Sequence, residues 1–458
     1  MASKKKTIFD EGPIANLDKI SAALGPASRL AYSPPHDYPM SVPKFTVSPC
    51  AERERPQCDQ LRLYVHIPFC NYACSFCFFA KQVGSTHSQM ERYVHALKRE
   101  LKWVEPGTPL SQLFVGGGTP TALPHDLLDE VFTEIFDRMP CDGREVHTVE
   151  TSPESISKDH IKVFHNHNIG RVSMGVQSLD EGVLDGVHRR HSMEQSLSAC
   201  ELLVDSGLIV NVDLMYGLPG QTYESFGRDL EILKTKNIHS VTLYNLRISE
   251  RAPISRGIAG DIPWSLDQLI RWRAFVKGIA EDLGFTQTRW HTFKRMDGIA
   301  SRHERAAHFK SDGMGYQLGI GMSARSQLGY TVYRNTVSLN GYLERIEAGQ
   351  SPVEEVLPLS LEDRKTQFVA RSLGDGKPLA RKDYEDAFGC TIDEDFGEAI
   401  ERLTTNGLIQ DKTTQLCLTE TGKLVYDLGI VSFYPQDALE WLEQKNKSSQ
   451  SRKELIVK

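Results

Sequence analysis

Cys70-Asn-Tyr-Ala-Cys74-Ser-Phe-Cys77 places three thiols in one short stretch, spaced C-x3-C-x2-C. Directly before it, Leu63-Tyr64-Val65-His66-Ile67 reads as a buried strand, so the cysteines sit on a loop at that strand's carboxyl end. A loop this tight can converge three thiolates on one metal centre. Structural zinc sites close with a fourth Cys or His, and no neighbouring residue is an obvious candidate. A four-iron cluster held by three thiolates instead keeps one iron without a protein ligand. Chemistry can occur at that iron. Cys50, Cys58, Cys141, Cys200, Cys390 and Cys417 lack such partners and read as ordinary core or surface residues.

The elements that must position this loop alternate strand and helix from Leu61 to about Gly329. Further strand-like runs are Leu113 to Val115, Val146 to Val149, Arg171 to Val176, Leu208 to Leu214 and Val241 to Leu246. Helical stretches lie between them; in the first, Tyr93/Val94, Leu97, Leu101 and Val104 share one face. Others run near Leu127 to Met139, Lys158 to His167, Glu194 to Ser206 and Tyr223 to Lys234. Six such units predict an α/β fold, a parallel sheet curled into a partial (β/α)6 barrel with its site at the strands' carboxyl ends. Residues 1–60 form a proline-interrupted N-terminal arm, 61–340 the barrel, 341–445 a mainly helical C-terminal domain and 446–458 a polar tail. In the C-terminal part, helices are expected at Leu361 to Leu373, Arg381 to Phe388, Asp395 to Thr405 and Thr421 to Leu428, with a small hairpin like a winged helix.

At roughly 150 residues per domain, 458 residues suit about three units or one large barrel with attachments. With 40% hydrophobic and 25% charged residues the chain is globular. Lys+Arg 53 against Asp+Glu 60 gives −7, which makes no electrostatic case for nucleic acid or an anionic membrane. No apolar run approaches the roughly 18 residues of a spanning helix. The opening MASKKKTIFDEGP has no apolar stretch behind it, so no secretory signal is expected. Nine cysteines are too few for a disulfide scaffold, and a cytoplasmic location is the expectation.

Tyr64-Val-His-Ile-Pro-Phe-Cys70 with its cysteine triplet resembles the radical S-adenosylmethionine (SAM) enzymes, in the branch of oxygen-independent coproporphyrinogen III dehydrogenase. Gly116-Gly-Gly-Thr-Pro-Thr121, Glu150-Thr-Ser-Pro153, Arg171 to Gln177, Arg189-Arg-His191 and Asp213 to Pro219 recur in the same order, over about residues 60 to 430. The resemblance implies a [4Fe–4S] cluster on Cys70, Cys74 and Cys77 whose open iron binds SAM and whose electron cleaves it to methionine and a 5′-deoxyadenosyl radical. It implies SAM contacts from Tyr64, Phe76, Gly117, Gly118, Thr119 and Glu150, and a second SAM held by Gln177, Arg189 and Asp213. Glycines at 116–118 would let the backbone approach the methionine end closely, or make a plain turn. His66 reads as structural. A flavodoxin or ferredoxin electron donor and a small-molecule substrate follow from the same resemblance.

Three departures bear on the reaction. The dehydrogenases continue past the third cysteine with Gly-Cys, whereas Phe78-Phe79 follows here. The related haem chaperones carry His-Asn-x-x-Tyr-Trp where this chain has His303-Glu-Arg-Ala-Ala-His308. Arg247 and Arg325 replace small or apolar residues; each can grip a carboxylate or phosphate, or be neutralised by an acid. The leading expectation is therefore a class C methylase or cyclopropane-forming enzyme, with a second SAM donating one carbon to an sp2 carbon. The alternatives are oxidative decarboxylation of coproporphyrinogen III in porphyrin synthesis and haem chaperoning.

Overall fold

The computed structural model describes residues 16–30, 38–40, 42, 45–49, 51–53, 61–141, 146–249, 251–256, 265–295 and 316–444. Cys50, Cys58, the stretch from His303 to His308, the first fifteen residues and the tail after residue 444 lie outside the described residues. Six strands pair side by side in chain order, all parallel: β1 (Leu61–Ile67), β2 (Leu110–Gly117), β3 (His147–Thr151), β4 (Ile169–Gln177), β5 (Ile209–Tyr216) and β6 (Ser240–Asn245). Each of the first five is followed by a helix of the outer layer: α1 (His87–Leu101), α2 (His125–Arg138), α3 (Lys158–Asn166), α4 (Met193–Asp205) and α5 (Tyr223–Lys234). This is the partial (β/α)6 barrel that the alternation predicts.

Local signals set the helix starts. Thr86 caps α1 and Gln89 reaches back to it, and the same reciprocal box is made by Ser192 with Gln195 at α4. On α1, Tyr93, Val94, Leu97 and Leu101 are buried against the sheet, as their spacing requires. After β6 comes α6 (Leu266–Asp282), then Phe285–Gln287 and Thr292–Arg295, which extend that edge antiparallel. Beside β1, Gln317–Ile320 adds a parallel strand, and Arg325–Leu328, Thr331–Asn335 and Val353–Pro358 continue antiparallel.

Beyond that edge lie Leu361–Ser372, Arg381–Phe388 and Ile392–Thr405, with a three-stranded sheet of Leu379–Ala380, Gln415–Leu418 and Ile409–Asp411. The third helix starts at Ile392, earlier than Asp395, because Thr391 and Glu394 form a capping box; it kinks at Phe396. The expected helix Thr421 to Leu428 is instead two short turns, Glu420–Lys423 and Tyr426–Gly429, broken at Val425 where φ is −132°.

One buried acid joins several of these parts. Glu100 on α1 accepts hydrogen bonds at Oε1 from Arg53 (2.7 Å) and Asn335 (2.8 Å). Its Oε2 accepts from Gly321 N and Tyr342 Oη, both at 2.7 Å. Arg53 also donates to Gly319 O at 2.9 Å, so the N-terminal segment is clamped to the strand beside β1. Removing one partner of such a buried pair leaves the other charge uncompensated. Glu100→Ala is expected to lower stability by about 3–5 kcal/mol, read as a shift in the denaturant midpoint.

Candidate active site

The cysteine loop leaves β1 and is fastened to the turn that follows β2. Gly118 N donates to Ile67 O (2.8 Å), Thr119 N to Phe69 O (2.7 Å) and Gln82 N to Pro68 O (2.7 Å). The glycines serve this contact. A Cβ on Gly118 would lie 2.6 Å from Phe69 O and 2.7 Å from Pro68 O, and Gly117 adopts φ +117° with the His66 ring 2.6 Å from any Cβ. A Cβ on Gly116 would meet the Glu150 carboxylate. The close approach the glycines permit is thus of protein to protein, between turn, loop and strand. His66 is structural as expected: its Nε2 meets Ala80 O at 3.0 Å, its Nδ1 meets Tyr64 Oη at 3.0 Å, and burial lowers its pKa to about 4.

A cavity of about 420 Å³ opens at these strand ends, lined by Cys70, Cys74 and Cys77 together. No trio of His, Cys, Asp or Glu is drawn to metal-ligating spacing among the described residues, so the thiols share a cavity rather than a preformed cage. Their surroundings suit a thiolate-bound cluster. Thr119 Oγ1 lies 3.8 Å from Cys70 Sγ, and Arg189 Nη1 donates to Cys74 Sγ at 3.5 Å. Lys81 Nζ donates to Cys77 O at 2.9 Å. Burial pushes the Cys70 thiol up to about 11 and also raises that of Cys74, so iron must displace protons to bind. The donors beside the Cys70 and Cys74 sulfurs then offset thiolate charge in a partly enclosed site.

The same cavity holds two carboxylates. Glu150, at the end of β3, accepts from Gly117 N at 3.2 Å; burial and then Asp213 push its pKa up to about 7. Asp213, on β5, accepts from Asn211 Nδ2 (2.7 Å) and Ser173 Oγ (3.1 Å), and burial pushes it up to about 6 against the pull of Arg171. Two acids in one enclosed space repel, which favours a cation between or beside them. SAM supplies such cationic groups, an ammonium and a sulfonium, so the donor set fits it. Gln177 ends β4 with φ +74°, an uncommon conformation for a residue with a side chain, and lines the cavity.

Of the residues singled out in the sequence, Phe76 packs against the core and lines the cavity with Gly117, Gly118, Thr119, Glu150, Gln177, Arg189, Asp213 and Arg247. Two do not. Tyr64 turns onto the Phe114 ring, centroids 6.2 Å apart, in a separate recess with Gln317. Arg325 sits over the Phe45 ring, 5.9 Å from its centroid. Tyr64 shares its strand face with His66 but lies short of the carboxyl end of β1, and Arg325 lies on the strands added beside β1, so neither joins the cavity lining. Sequence reasoning missed Tyr72, Glu154, Tyr244, Asn245 and His291, which also line it. Glu154 was within reach, since it follows Pro153 of a quoted motif. Its Oε2 is buried without a hydrogen-bond partner among the described residues, beside His191 at 3.8 Å. His291 carried no signal, because it arrives on the antiparallel edge after the repeats end.

The model of the radical SAM superfamily matches residues 64–233, the span from the end of β1 to α5. The chain carries a radical SAM domain. It is similar to the heme chaperone HemW of Lactococcus lactis, 28% identical over 371 residues that cover 80% of this chain and 94% of the relative. The oxygen-independent coproporphyrinogen III oxidase of Pseudomonas aeruginosa is 27% identical over 429 residues, covering 85% and 92%. The solved coproporphyrinogen III oxidase HemN of Escherichia coli superposes with a TM-score of 0.72 at 25% identity, covering 83% of this chain and 90% of that one. Residues 64–233 thus match the radical SAM superfamily and most of the chain is similar to HemN and HemW proteins; such a domain implies the cluster and SAM for which the cavity has the donors. Among the described residues, no helix is long and apolar enough to cross a membrane.

The contact of Gly118 with two carbonyls gives a direct check on the role of the turn. Gly118→Ala forces the loop off the turn, at about 1–3 kcal/mol for overpacking. The purified variant is expected to stay folded by circular dichroism and to retain less than half of the wild-type iron after anaerobic reconstitution.

Proposed function

We propose that Cys70, Cys74 and Cys77 hold a [4Fe–4S] cluster and that the enzyme oxidatively decarboxylates a propionate-bearing porphyrinogen of the coproporphyrinogen type. The observation that carries this reading is the composition of one cavity. It joins the three thiols and the Glu150–Asp213 acid pair to a basic lining of Lys81 and Arg247. When bound there, cluster and SAM supply a 5′-deoxyadenosyl radical to the substrate. Glu150 and Asp213 hold the cationic groups of SAM, and Arg189 buffers the charge of Cys74. Arg247 offers a guanidinium fork to a substrate carboxylate. Phe76 and the stacked Phe78–Phe79 pair, ring centroids 4.8 Å apart, shield the reacting end from water. A flavodoxin or ferredoxin is the natural electron source for so reducing a step.

The similarity to coproporphyrinogen oxidases along most of both chains supports this reaction over one-carbon transfer. A second SAM on Gln177, Arg189 and Asp213, which the resemblance implies, is compatible with either reaction. Haem binding is the second reading: Phe78 and Phe79 are 40% and 58% exposed, a face on which a flat macrocycle can stack.

The deciding experiment is anaerobic turnover with SAM, dithionite and coproporphyrinogen III. Deoxyadenosine together with carbon dioxide, both lost in Cys74→Ala, is the expected result. S-adenosylhomocysteine in equal amount to deoxyadenosine would overturn it in favour of methyl transfer. Tight haem binding without either product would leave the chaperone reading.

SAM affinity is also expected to depend on pH. Glu150 is ionised above about 7 and neutral below, and only the ionised form attracts a cation. The dissociation constant for SAM should therefore rise as pH falls below about 7, by up to about tenfold per unit. Glu150→Gln should bind SAM more weakly and lose the slope between about pH 7 and 6, keeping only the one that Asp213 gives below about 6, as read by equilibrium dialysis.

A further inference from the structure

Asp427 and Tyr426 belong to the C-terminal helical unit, yet their side chains end against the wall of the cavity formed after β6. Asp427 is fully buried and accepts two hydrogen bonds from Arg273 on α6, at 2.8 and 2.6 Å. A second guanidinium, that of Arg247, stands 3.6 Å from the same Oδ2. Tyr426 Oη meets His291 Nε2 at 3.2 Å, and the Trp290 ring packs on Tyr426 with centroids 4.3 Å apart. Arg247 and His291 line the cavity together with Tyr244 and Asn245. Asn245 is 3% exposed, and its Oδ1 has no hydrogen-bond partner among the described residues. Its Nδ2 reaches only Leu246 O, at 3.4 Å. A buried amide with unmet hydrogen-bonding capacity on a cavity wall points to a polar ligand group there.

We propose that Asp427 and Tyr426 are positioning residues: they set Arg247 and His291, beside Asn245, as a subsite for a carboxylate of the substrate. The C-terminal unit thereby selects the substrate. The inference rests on the reading of a propionate-bearing substrate and adds which residues recognise it. A guanidinium binds a carboxylate well only when its planar fork faces it, so the anchor of that fork governs specificity. Asp427 steers Arg247 by charge while its own hydrogen bonds go to Arg273. Tyr426 fixes the plane of the His291 imidazole, against whose face Tyr244 stands edge-on at 4.9 Å.

The test combines turnover with binding. Asp427→Asn and Tyr426→Phe are compared with wild type for KM and kcat on coproporphyrinogen III. The same proteins are titrated by fluorescence with coproporphyrin III and with its tetramethyl ester. Each variant is expected to raise KM about tenfold, kcat staying within about twofold. Coproporphyrin III should bind more weakly in proportion, whereas the ester, lacking carboxylates, should bind all the proteins alike. Arg247→Lys should recover part of what Arg247→Ala loses. Should Asp427→Asn not fold, Tyr426→Phe and the Arg247 pair decide the matter. Turnover by wild type with KM unchanged in the variants overturns the subsite and leaves the reaction standing. Absent turnover, with porphyrin binding that needs both the carboxylates and Asp427, overturns the reaction and leaves the subsite. Neither turnover nor carboxylate-dependent binding overturns both.

Discussion

Two backbone hydrogen bonds, from Gly118 to Ile67 and from Thr119 to Phe69, fasten the start of the cysteine loop to the turn after β2, and a third, from Gln82 to Pro68, closes that loop on itself. The cysteines take their position from that seam. Parallel neighbours β1 and β2 run in register through Ile67 and Gly117, so the loop leaving one strand and the turn leaving the other emerge side by side. The Pro68 and Phe69 backbone leaves no volume for a Cβ on Gly118, while the Glu150 carboxylate and the His66 ring stand where a Cβ on Gly116 or Gly117 would lie. The thiols are then presented from a surface braced by main chain rather than by side-chain packing alone. A main-chain brace holds its geometry when the cluster's charge changes, because no rotamer has to move.

The cavity is electrostatically tense. Glu150 and Asp213 face the same space, burial raises both, and each is tied to polar neighbours that hold it in place. Asn211 shows how: its amide bridges Ser173, Asp213 and Thr242, all within 2.7–2.9 Å. Strands β4, β5 and β6 each supply one member of that bridge, so the orientation of the acid is fixed by sheet register. Arg171 partly offsets Asp213 from the same layer. The arrangement is unfavourable for acids alone and favourable once a cation enters. A site with this balance binds a positively charged cofactor by releasing stored repulsion.

Much of the barrel was legible because its signals are local. Strands of four to eight apolar residues, each followed by an amphipathic helix, leave few topologies open, and the cysteine spacing is read without any fold. What stayed hidden depended on the direction of a side chain. Tyr64 and Cys70 lie in one motif, yet Tyr64 stacks on Phe114 below the strand's carboxyl end, while Cys70 lies beyond that end and lines the cavity. Arg325 and Arg247 looked alike in sequence, but one packs over Phe45 and only the other lines the cavity. His291 and Tyr426 are 135 residues apart in the chain and meet through a hydrogen bond, a pairing that periodicity does not encode. The break at Val425, which splits an expected helix, is what turns Tyr426 and Asp427 toward the barrel.

That last point bears on why one scaffold serves several reactions. The strand ends β1 to β5 carry the thiols and the acid pair, and they are the part that the radical SAM model matches, residues 64–233. The wall after β6 lies outside that span and is built by residues that the C-terminal unit holds from behind. Change in the C-terminal unit can therefore alter the substrate wall without disturbing the main-chain seam that presents the cysteines. Phe79, 58% exposed on the cysteine loop, is the counterpart on the other side: it sits beside the cluster ligands yet makes no bond that the seam requires. On the proposed reading, radical generation and substrate choice fall on separate structural supports, and only the first of these is fixed by the parallel sheet.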